Sequence, residues 1–224
     1  MGERPADPGD GLARVGAARM RLVLASASPA RQALLSAAGI DVTVVVSGVD
    51  ESVVDSDQPE TLCGTLARLK ARAVAASLPA AEQDRVLVLG CDSVLAFDGQ
   101  VLGKPDHAED ARKRWYAMRG RAGVLHTGHC LVDLRSGSAE ASAVEEVAST
   151  TVRFADLTDA EIEAYIGTGE PLHVAGAFTI DGWGGPFVDG IEGDPSTVIG
   201  LSLPTLRRLL ARLDLTVMSL WRSK

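Results

Sequence analysis

Apolar runs of strand length alternate along the chain with segments of helical periodicity. The pattern predicts strands at residues 21–25, 41–46, 85–90, 124–134 and 144–154, with a hairpin at 94–102. It predicts helices at residues 29–38, 59–78, 106–119, 158–167 and 204–213. Because helices fall between strands and the hairpin requires antiparallel pairing, we predict an α/β fold with a mixed β-sheet flanked by helices.

The predicted helices begin and end at residues with capping chemistry. Ser28 can cap the first helix, Pro29 fits its first position and Gly39 can take the left-handed conformation that ends it. Two spacings predict capping boxes: Asp106 with Glu109, and Thr158 with Glu161. Residues 169–200 are rich in glycine, which favours tight turns and close approaches over long elements.

The second predicted helix has one apolar stripe, which consists of Leu62, Leu66, Leu69 and Ala73. If this stripe faces the core, Lys70 and Arg72 lie away from it. The sequence therefore predicts Lys70 off the buried face of the helix.

Composition excludes several classes of protein. The 224 residues include 22 Lys and Arg against 30 Asp and Glu, a net charge of −8, and 46% are hydrophobic. This is the composition of a folded globular chain, and an acidic chain without basic runs is not expected to bind a nucleic-acid polymer. No apolar stretch approaches the roughly 20 residues that span a bilayer, so no membrane association is expected.

Cysteine usage and the first residues indicate a cytoplasmic protein. Cys63, Cys91 and Cys130 are odd in number, widely spaced and outside any CxxC motif, which is typical of buried thiols in a reducing compartment. Residues 1–19 contain Pro, Gly and mixed charge but no continuous apolar core, so we expect a disordered leader and not a secretory signal.

The junction between the first strand and the first helix is a candidate anion site. Ser26 and Ser28 supply hydroxyl groups, the helix start supplies unpaired N–H groups, and Arg31 adds a guanidinium in the first turn. A cation there opposes the helix dipole unless an anion binds, which favours a functional role. The alternative is an ordinary helix cap beside a surface arginine.

Carboxylates follow two of the predicted strands. Asp92 is placed just past the third strand, where α/β sheets bind ligands, so it is a candidate to activate a water molecule or coordinate a hard cation such as Mg²⁺. Asp50 and Glu51 follow the second strand and form a second candidate metal pair. The alternatives are a turn aspartate bonded to its own backbone and solvated turn charges.

Lysine is rare in this chain. There are 18 arginines but four lysines, so Lys70 and Lys104 are candidates for binding phosphate as compact charges, with surface lysines as the alternative. His126 and His129 lie three residues apart on a predicted strand and therefore on opposite faces, so a metal pair is not expected there.

Five blocks of sequence together resemble the Maf family of nucleoside triphosphate pyrophosphatases. They are LASASPARQALL at 24–35, VDE at 49–51, LARLKA at 66–71, GCDSV at 90–94 with GKP at 103–105, and YIGTGEPLHVAGAF at 165–178 followed by GDPSTVIGLSL at 193–203. The resemblance implies an elongated, inosine triphosphate pyrophosphatase-like fold of two lobes with a cleft, and a homodimer. It covers nearly all of residues 22–210, which predicts one Maf-like domain at 20–213 and a C-terminal tail at 214–224.

The resemblance also implies a reaction: water attacks the α-phosphate of a nucleoside triphosphate, with a divalent cation (Mg²⁺ or Mn²⁺), to give the monophosphate and pyrophosphate. By position, Asp92 matches the family's proton acceptor, and Glu51 matches an acidic residue that contacts metal or water. Arg31, Lys70 and Lys104 match cations that hold the phosphates. The implied role is removal of non-canonical or modified nucleotides. The alternative is a nucleotide-binding regulator of cell division that does not turn substrate over.

Four positions depart from the family pattern. Ala30 replaces the first arginine of SPRR, Ser93 replaces a threonine, Val174 replaces the lysine of KAG and Asp181 replaces the glutamine of IQG. Because these changes remove cations and an amide near the expected nucleotide site, Ala30, Ser93 and Asp181 are predicted to affect base selection, and the family's preference for pyrimidines is not carried over.

Overall fold

The computed structural model describes residues 19–135 and 142–222. The predicted leader, apart from Arg19, residues 136–141 and the last two residues of the predicted tail, 223–224, lie outside the described residues. The strands are β1 Arg21–Leu24, β2 Val42–Val44, β3 Val86–Phe97, β4 Gln100–Leu102, β5 Ala122–Asp133, β6 Ser142–Phe154 and β7 Val188–Glu192. The helices are α1 Pro29–Ala37, α2 Pro59–Ser77, α3 Ala108–Met118, α4 Asp159–Gly167, α5 Pro195–Ile199 and α6 Leu203–Ala211.

The seven strands form one sheet in the order β2-β1-β3-β5-β6-β7, with β4 paired to β3 as a hairpin. β1 is parallel to β2 and to β3, whereas β3, β5, β6 and β7 pair in antiparallel fashion. The prediction of a mixed sheet flanked by helices is confirmed.

Side chains of β3 alternate between two layers of the core. Val86 and Val88 pack with α2 on one face, while Leu87 and Leu89 pack with α1 and α6 on the other. A third apolar cluster, built around Trp115, covers the far half of β3, β5 and β6 with α3 and α4. The first two layers cover opposite faces of one half of the sheet, and the Trp115 cluster forms a separate packed region on the other half.

Several local predictions are confirmed. The Ser28 side chain caps α1 and Pro29 is its first residue, while Gly39 has φ +79° just after the helix. Thr158 and Glu161 form the predicted capping box. The hairpin turns at Asp98 and Gly99, both at positive φ, as a type I′ turn requires.

Other local predictions are wrong. α3 is capped by the ring of His107, which accepts a hydrogen bond from the Asp110 amide, and not by a box at Asp106. β2 is only three residues long, and β7 lies in the glycine-rich region where no strand was predicted.

The segment after α6 does not stand apart from the core. Leu220 is buried, Trp221 forms a bridge to Ile40, and the Met20 amide donates to the Ser219 carbonyl. This segment was predicted to be a tail because it lies beyond the residues that carry the family resemblance, but apolar packing holds it against the first strand and helix.

Candidate functional site

A cleft of about 960 Å³ opens where the sheet has a gap. β1 pairs with β3 only as far as Leu89, and β4 pairs with β3 only from Leu95 onward. Among the described strands, residues 90–94 therefore have no neighbour on this side. Both faces of β3 are accessible from the gap. Consecutive residues such as Asp92 and Ser93, whose side chains point to opposite faces of the strand, therefore line the same cleft.

All ten site residues named from the sequence line this cleft: Ser26, Ser28, Ala30, Arg31, Glu51, Lys70, Asp92, Ser93, Lys104 and Asp181. The geometry brings the predicted residues together from six separate segments of the chain.

Asp92 is in the middle of a strand, which corrects its expected place just past a strand end. β3 continues through it to Phe97, because the hairpin and the long partner β5 extend the ladder. Side chains alternate along β3, so Asp92 points to the same face as Val88, the face that packs against α2. There Lys70 Nζ donates a hydrogen bond to Asp92 Oδ1 at 2.6 Å. Lys70 Nζ also lies 2.7 Å from Glu51 Oε1. One ammonium group thus joins two carboxylates.

Lys70 lies on the buried face of α2, contrary to the sequence prediction. The side of α2 that packs on the sheet carries small residues, including Ala67 and Ala71, while Leu62 and Leu66 line the cleft. Close packing of backbone selects small side chains over large ones, so the leucine stripe did not identify the face in contact with the sheet.

Two glycines permit this close packing. A Cβ on Gly90 of β3 would lie 2.8 Å from the amide nitrogen of Ala71 in α2. A Cβ on Gly128 of β5 would lie 2.7 Å from the amide nitrogen of Gly64 in the same helix. Only glycine fits at such an approach of backbones. These glycines set how near Lys70 comes to Asp92.

The environment of Asp92 raises the pKa of its carboxyl group above the ordinary value. Burial is the main cause, because removing water disfavours the charged form, and the nearby cations Lys70 and Arg31 offset part of the effect. Asp92 Oδ1 is bonded to Lys70, whereas Oδ2 has no hydrogen-bond partner among the described residues. One oxygen is held in place and the other is left for a ligand.

Arg31 is fixed by protein acceptors on three sides. Its Nε donates to the Gly200 carbonyl at 2.6 Å, its Nη1 to Ser26 Oγ at 2.9 Å and its Nη2 to Ser93 Oγ at 3.1 Å. A guanidinium has five N–H groups, so two remain for a ligand. The side chain is held before any ligand arrives, which lowers the entropy cost of binding an anion.

A buried chain of hydroxyl groups supports Arg31 from behind. Ser93 Oγ lies 2.9 Å from Thr127 Oγ1, which donates to the Thr197 carbonyl at 2.9 Å. Since the Thr127 proton is used there, Ser93 donates to Thr127 and accepts from Arg31. Thr127, Thr197 and Gly200 were not named from the sequence, because only the tertiary contacts with Arg31 reveal them.

Lys104 and Asp181 line the cleft as exposed side chains. Neither makes a side-chain hydrogen bond or an ion pair within the part of the chain that the structure describes. Ala30 is half-buried beside Arg31 and leaves the space that a longer side chain would fill. A ligand in the cleft therefore meets an available cation and an available carboxylate.

The fitness of the cleft for a metal ion rests on two carboxylates. Within residues 19–135 and 142–222 there is no group of three or more His, Cys, Asp or Glu that would hold a metal by protein ligands alone. Asp92 and Glu51 contact the same ammonium, so they are close enough to share a cation. Mg²⁺ is commonly bound by one or two carboxylates together with substrate phosphates and water, and this donor set fits that pattern.

His126 and His129 each make a side-chain contact within the protein, to Ser149 Oγ and the Ser202 amide respectively. His129 is buried with its pKa lowered to about 4 by loss of solvent, and its Nε2 accepts a hydrogen bond from the Ser202 amide at 2.8 Å. Its role in the fold is to anchor the start of α6.

Comparisons with known proteins show which family this chain belongs to. The family model described as Maf-like protein matches residues 21–213. This chain belongs to the Maf family. A relative named nucleoside triphosphate pyrophosphatase in Salinispora tropica is 63% identical over 206 residues, 92% of this chain and 89% of the relative. Another of that name in Streptomyces coelicolor is 58% identical over 203 residues, 91% of this chain and 95% of the relative.

Membership of the Maf family gives the cleft a context. The blocks that carry the resemblance supply Ser26 to Arg31, Glu51, Lys70, Asp92 and Lys104, all of which line it. Three of the positions at which this chain departs from the family pattern, Ala30, Ser93 and Asp181, also line the cleft, as does Val174. The departures therefore change the surface that a ligand meets.

Proposed function

We propose that this member of the Maf family hydrolyses nucleoside triphosphates to the monophosphate and pyrophosphate, and that it removes non-canonical or modified nucleotides. The observation that carries the proposal is the Asp92–Lys70 contact of 2.6 Å at the floor of a cleft that Arg31 also faces. A poised carboxylate beside fixed cations is what hydrolysis of a polyanion needs.

Asp92 is proposed as the general base. Its Oδ2 accepts a proton from water as the water oxygen bonds to the α-phosphorus, and the bond from this phosphorus to the oxygen bridging to the β-phosphate breaks. Pyrophosphate leaves with that oxygen. A pKa raised by burial makes the carboxylate a better proton acceptor than an exposed aspartate.

Arg31, Lys70 and Lys104 are proposed to bind the phosphate chain, together with Ser26, Ser28 and the N-terminal amides of α1. Arg31 and Lys70 are preorganised by their protein contacts, so they need little rearrangement as charge develops. Lys104 is exposed and adds charge at the rim of the cleft.

Glu51 and Asp92 are proposed to hold a divalent cation, Mg²⁺ or Mn²⁺. Such a cation supplies Lewis-acid charge stabilisation for the phosphate oxygens when it is bound. Glu51 is the better exposed of the two carboxylates, with 59% of its side chain accessible against 11% for Asp92, so it can reach solvent ligands that Asp92 does not.

We further propose a cytoplasmic homodimer that acts on free nucleotides. The three cysteines are free and buried, which suits a reducing compartment. No helix in the described ranges is long and apolar enough to cross a membrane.

The activity is tested with a panel of nucleoside triphosphates in Mg²⁺ or Mn²⁺, with separate measurement of monophosphate, pyrophosphate and inorganic phosphate. We expect equal amounts of monophosphate and pyrophosphate from at least one triphosphate, and loss of turnover when the metal is chelated. Binding of nucleotides without any turnover would contradict the proposal and favour the regulator of cell division instead.

Replacing Lys70 by glutamine is expected to move the acid limb of the pH profile of kcat/KM to higher pH. Lys70 favours the charged form of Asp92, so its removal raises the pKa of that carboxyl group further. A general base works only when deprotonated, so the rate falls as the pH drops through this pKa. Lys113→Gln, a change of an exposed lysine on α3, is the control and should leave the limb in place. An unmoved limb in Lys70→Gln would show that Asp92 does not control the rate.

A further inference from the structure

A turn at residues 179–184 forms part of the wall of the cleft through Thr179 and Asp181. Glu170 lies behind it and accepts four hydrogen bonds. Its Oε1 accepts from Tyr165 Oη at 2.9 Å, Thr179 Oγ1 at 2.6 Å and the Gly184 amide at 3.1 Å, and its Oε2 accepts from the Trp183 amide at 3.0 Å. One carboxylate therefore holds both ends of the turn.

The turn is closely packed around this carboxylate. A Cβ on Gly182 would lie 2.9 Å from Glu170 Cδ, and a Cβ on Gly184 would lie 2.9 Å from the Thr179 nitrogen. Tyr165 Oη adds a second brace by accepting from the Thr179 amide at 3.2 Å. Asp181 lies between these fixed points, Thr179 on one side and Trp183 and Gly184 on the other.

Asp181 is the acceptor that this arrangement presents to the cleft. Its exposed carboxylate has no side-chain partner among residues 19–135 and 142–222, and at neutral pH an ionised carboxylate only accepts hydrogen bonds. The cleft that Asp181 lines also contains Arg31 and Lys70, which contact Ser93 and Asp92 in the unpaired part of β3. A nucleotide whose phosphates bind at Arg31 and Lys70 would place its base in another part of this cleft, and the 179–184 turn is one of its walls.

We propose that Glu170 is a positioning residue for base recognition, which holds the 179–184 turn so that Asp181 accepts N–H groups of the base. This inference rests on the proposed nucleotide hydrolysis. It predicts the class of substrate: bases that present an amino group are preferred over matched bases that present a carbonyl oxygen or nothing there. A carbonyl oxygen opposite the Asp181 carboxylate repels it and leaves both groups without a donor.

The test compares kcat/KM within two matched pairs, CTP with UTP and GTP with ITP, and uses ribose 5′-triphosphate as a substrate without a base. We expect the amino member to be favoured by about tenfold in the pair that is turned over faster, the lower end of the range for a charge-assisted hydrogen bond. Asp181→Asn, which can donate as well as accept, should bring the ratio close to one.

Glu170→Gln should lower the same ratio through KM, because an amide nitrogen cannot accept from the Trp183 amide and the turn shifts. The loss should be largest for the amino-bearing base and smallest for ribose 5′-triphosphate. If Glu170→Gln does not fold, Tyr165→Phe removes only the hydroxyl that braces the turn and should lower the ratio likewise. Glu163→Gln, which changes an exposed carboxylate on α4, is the matched control.

Three results would overturn the inference: no preference for the amino base in wild type, a preference that survives Asp181→Asn, or an equal loss for every substrate in Glu170→Gln. These differ from failure of the proposed function, in which neither the nucleotides nor ribose 5′-triphosphate would yield pyrophosphate.

Discussion

Replacing Asp92 by asparagine is expected to lower kcat by about 10³-fold, which is within the usual range for loss of a general base. Asparagine has nearly the same shape, and its oxygen can still accept the hydrogen bond from Lys70, but it takes no proton from water. Steady-state kinetics on the best triphosphate of the panel measures the effect.

Binding and stability serve as the controls for this variant. Nucleotide should still raise the melting temperature, because Arg31, Lys70 and Lys104 remain. The raised pKa of Asp92 means that the folded state holds this proton more tightly than the unfolded chain does, so stability from the protonated form is lost as the pH rises through that pKa. At neutral pH the ionised carboxylate is therefore unfavourable, and Asp92→Asn is not expected to lower the melting temperature. A variant that kept a tenth of the wild-type kcat would exclude Asp92 as the base.

Replacing Gly90 by alanine is expected to destabilise the protein by about 3 kcal/mol, the upper range for overpacking a core. The new methyl group would lie 2.8 Å from the Ala71 nitrogen, and backbone cannot rotate away as a side chain does. For a chain of this size the melting temperature should fall by about 6–12 °C. Activity should fall as well, since α2 carries Lys70 and must move off the sheet.

Gly64→Ala is the matched control for this prediction, because it changes a glycine of α2 itself. The nearest atom to its new Cβ is the flexible end of Val147 at 3.4 Å, and alanine favours a helix over glycine by about 1 kcal/mol. Its melting temperature should stay level or rise. Equal losses in Gly90→Ala and Gly64→Ala would mean that the close approach at β3 does not set the position of α2.

Local features were predicted well from the amino-acid sequence, because they depend on residues a few positions apart. The Ser28 cap, the box of Thr158 and Glu161 and the hairpin turn at Asp98 and Gly99 each rest on hydrogen bonds or dihedral angles within one turn. The predicted cap at Asp106 was wrong because the adjacent residue, His107, caps α3 with its ring.

The buried face of α2 was predicted wrongly for a tertiary reason. Its leucines suggested one face, but the glycines of β3 and β5 accept the backbone of α2 closely and so select the face with small residues. That rotation brings Lys70 to Asp92 and leaves Leu62 and Leu66 on the cleft. Periodicity alone does not show what surface a helix packs against.

The sequence by itself determined the order of the strands and helices except β7 and α5, most of the helix caps and the set of chemically suitable side chains, because periodicity and capping act over a few residues. Only the tertiary structure decided that β3 runs on past the end of β1, which opens the cleft, and that Gly200, Thr127 and Glu170 hold the residues around it. Those contacts join positions up to 169 residues apart, such as Arg31 and Gly200, and they form only when the whole sheet and its helices pack together.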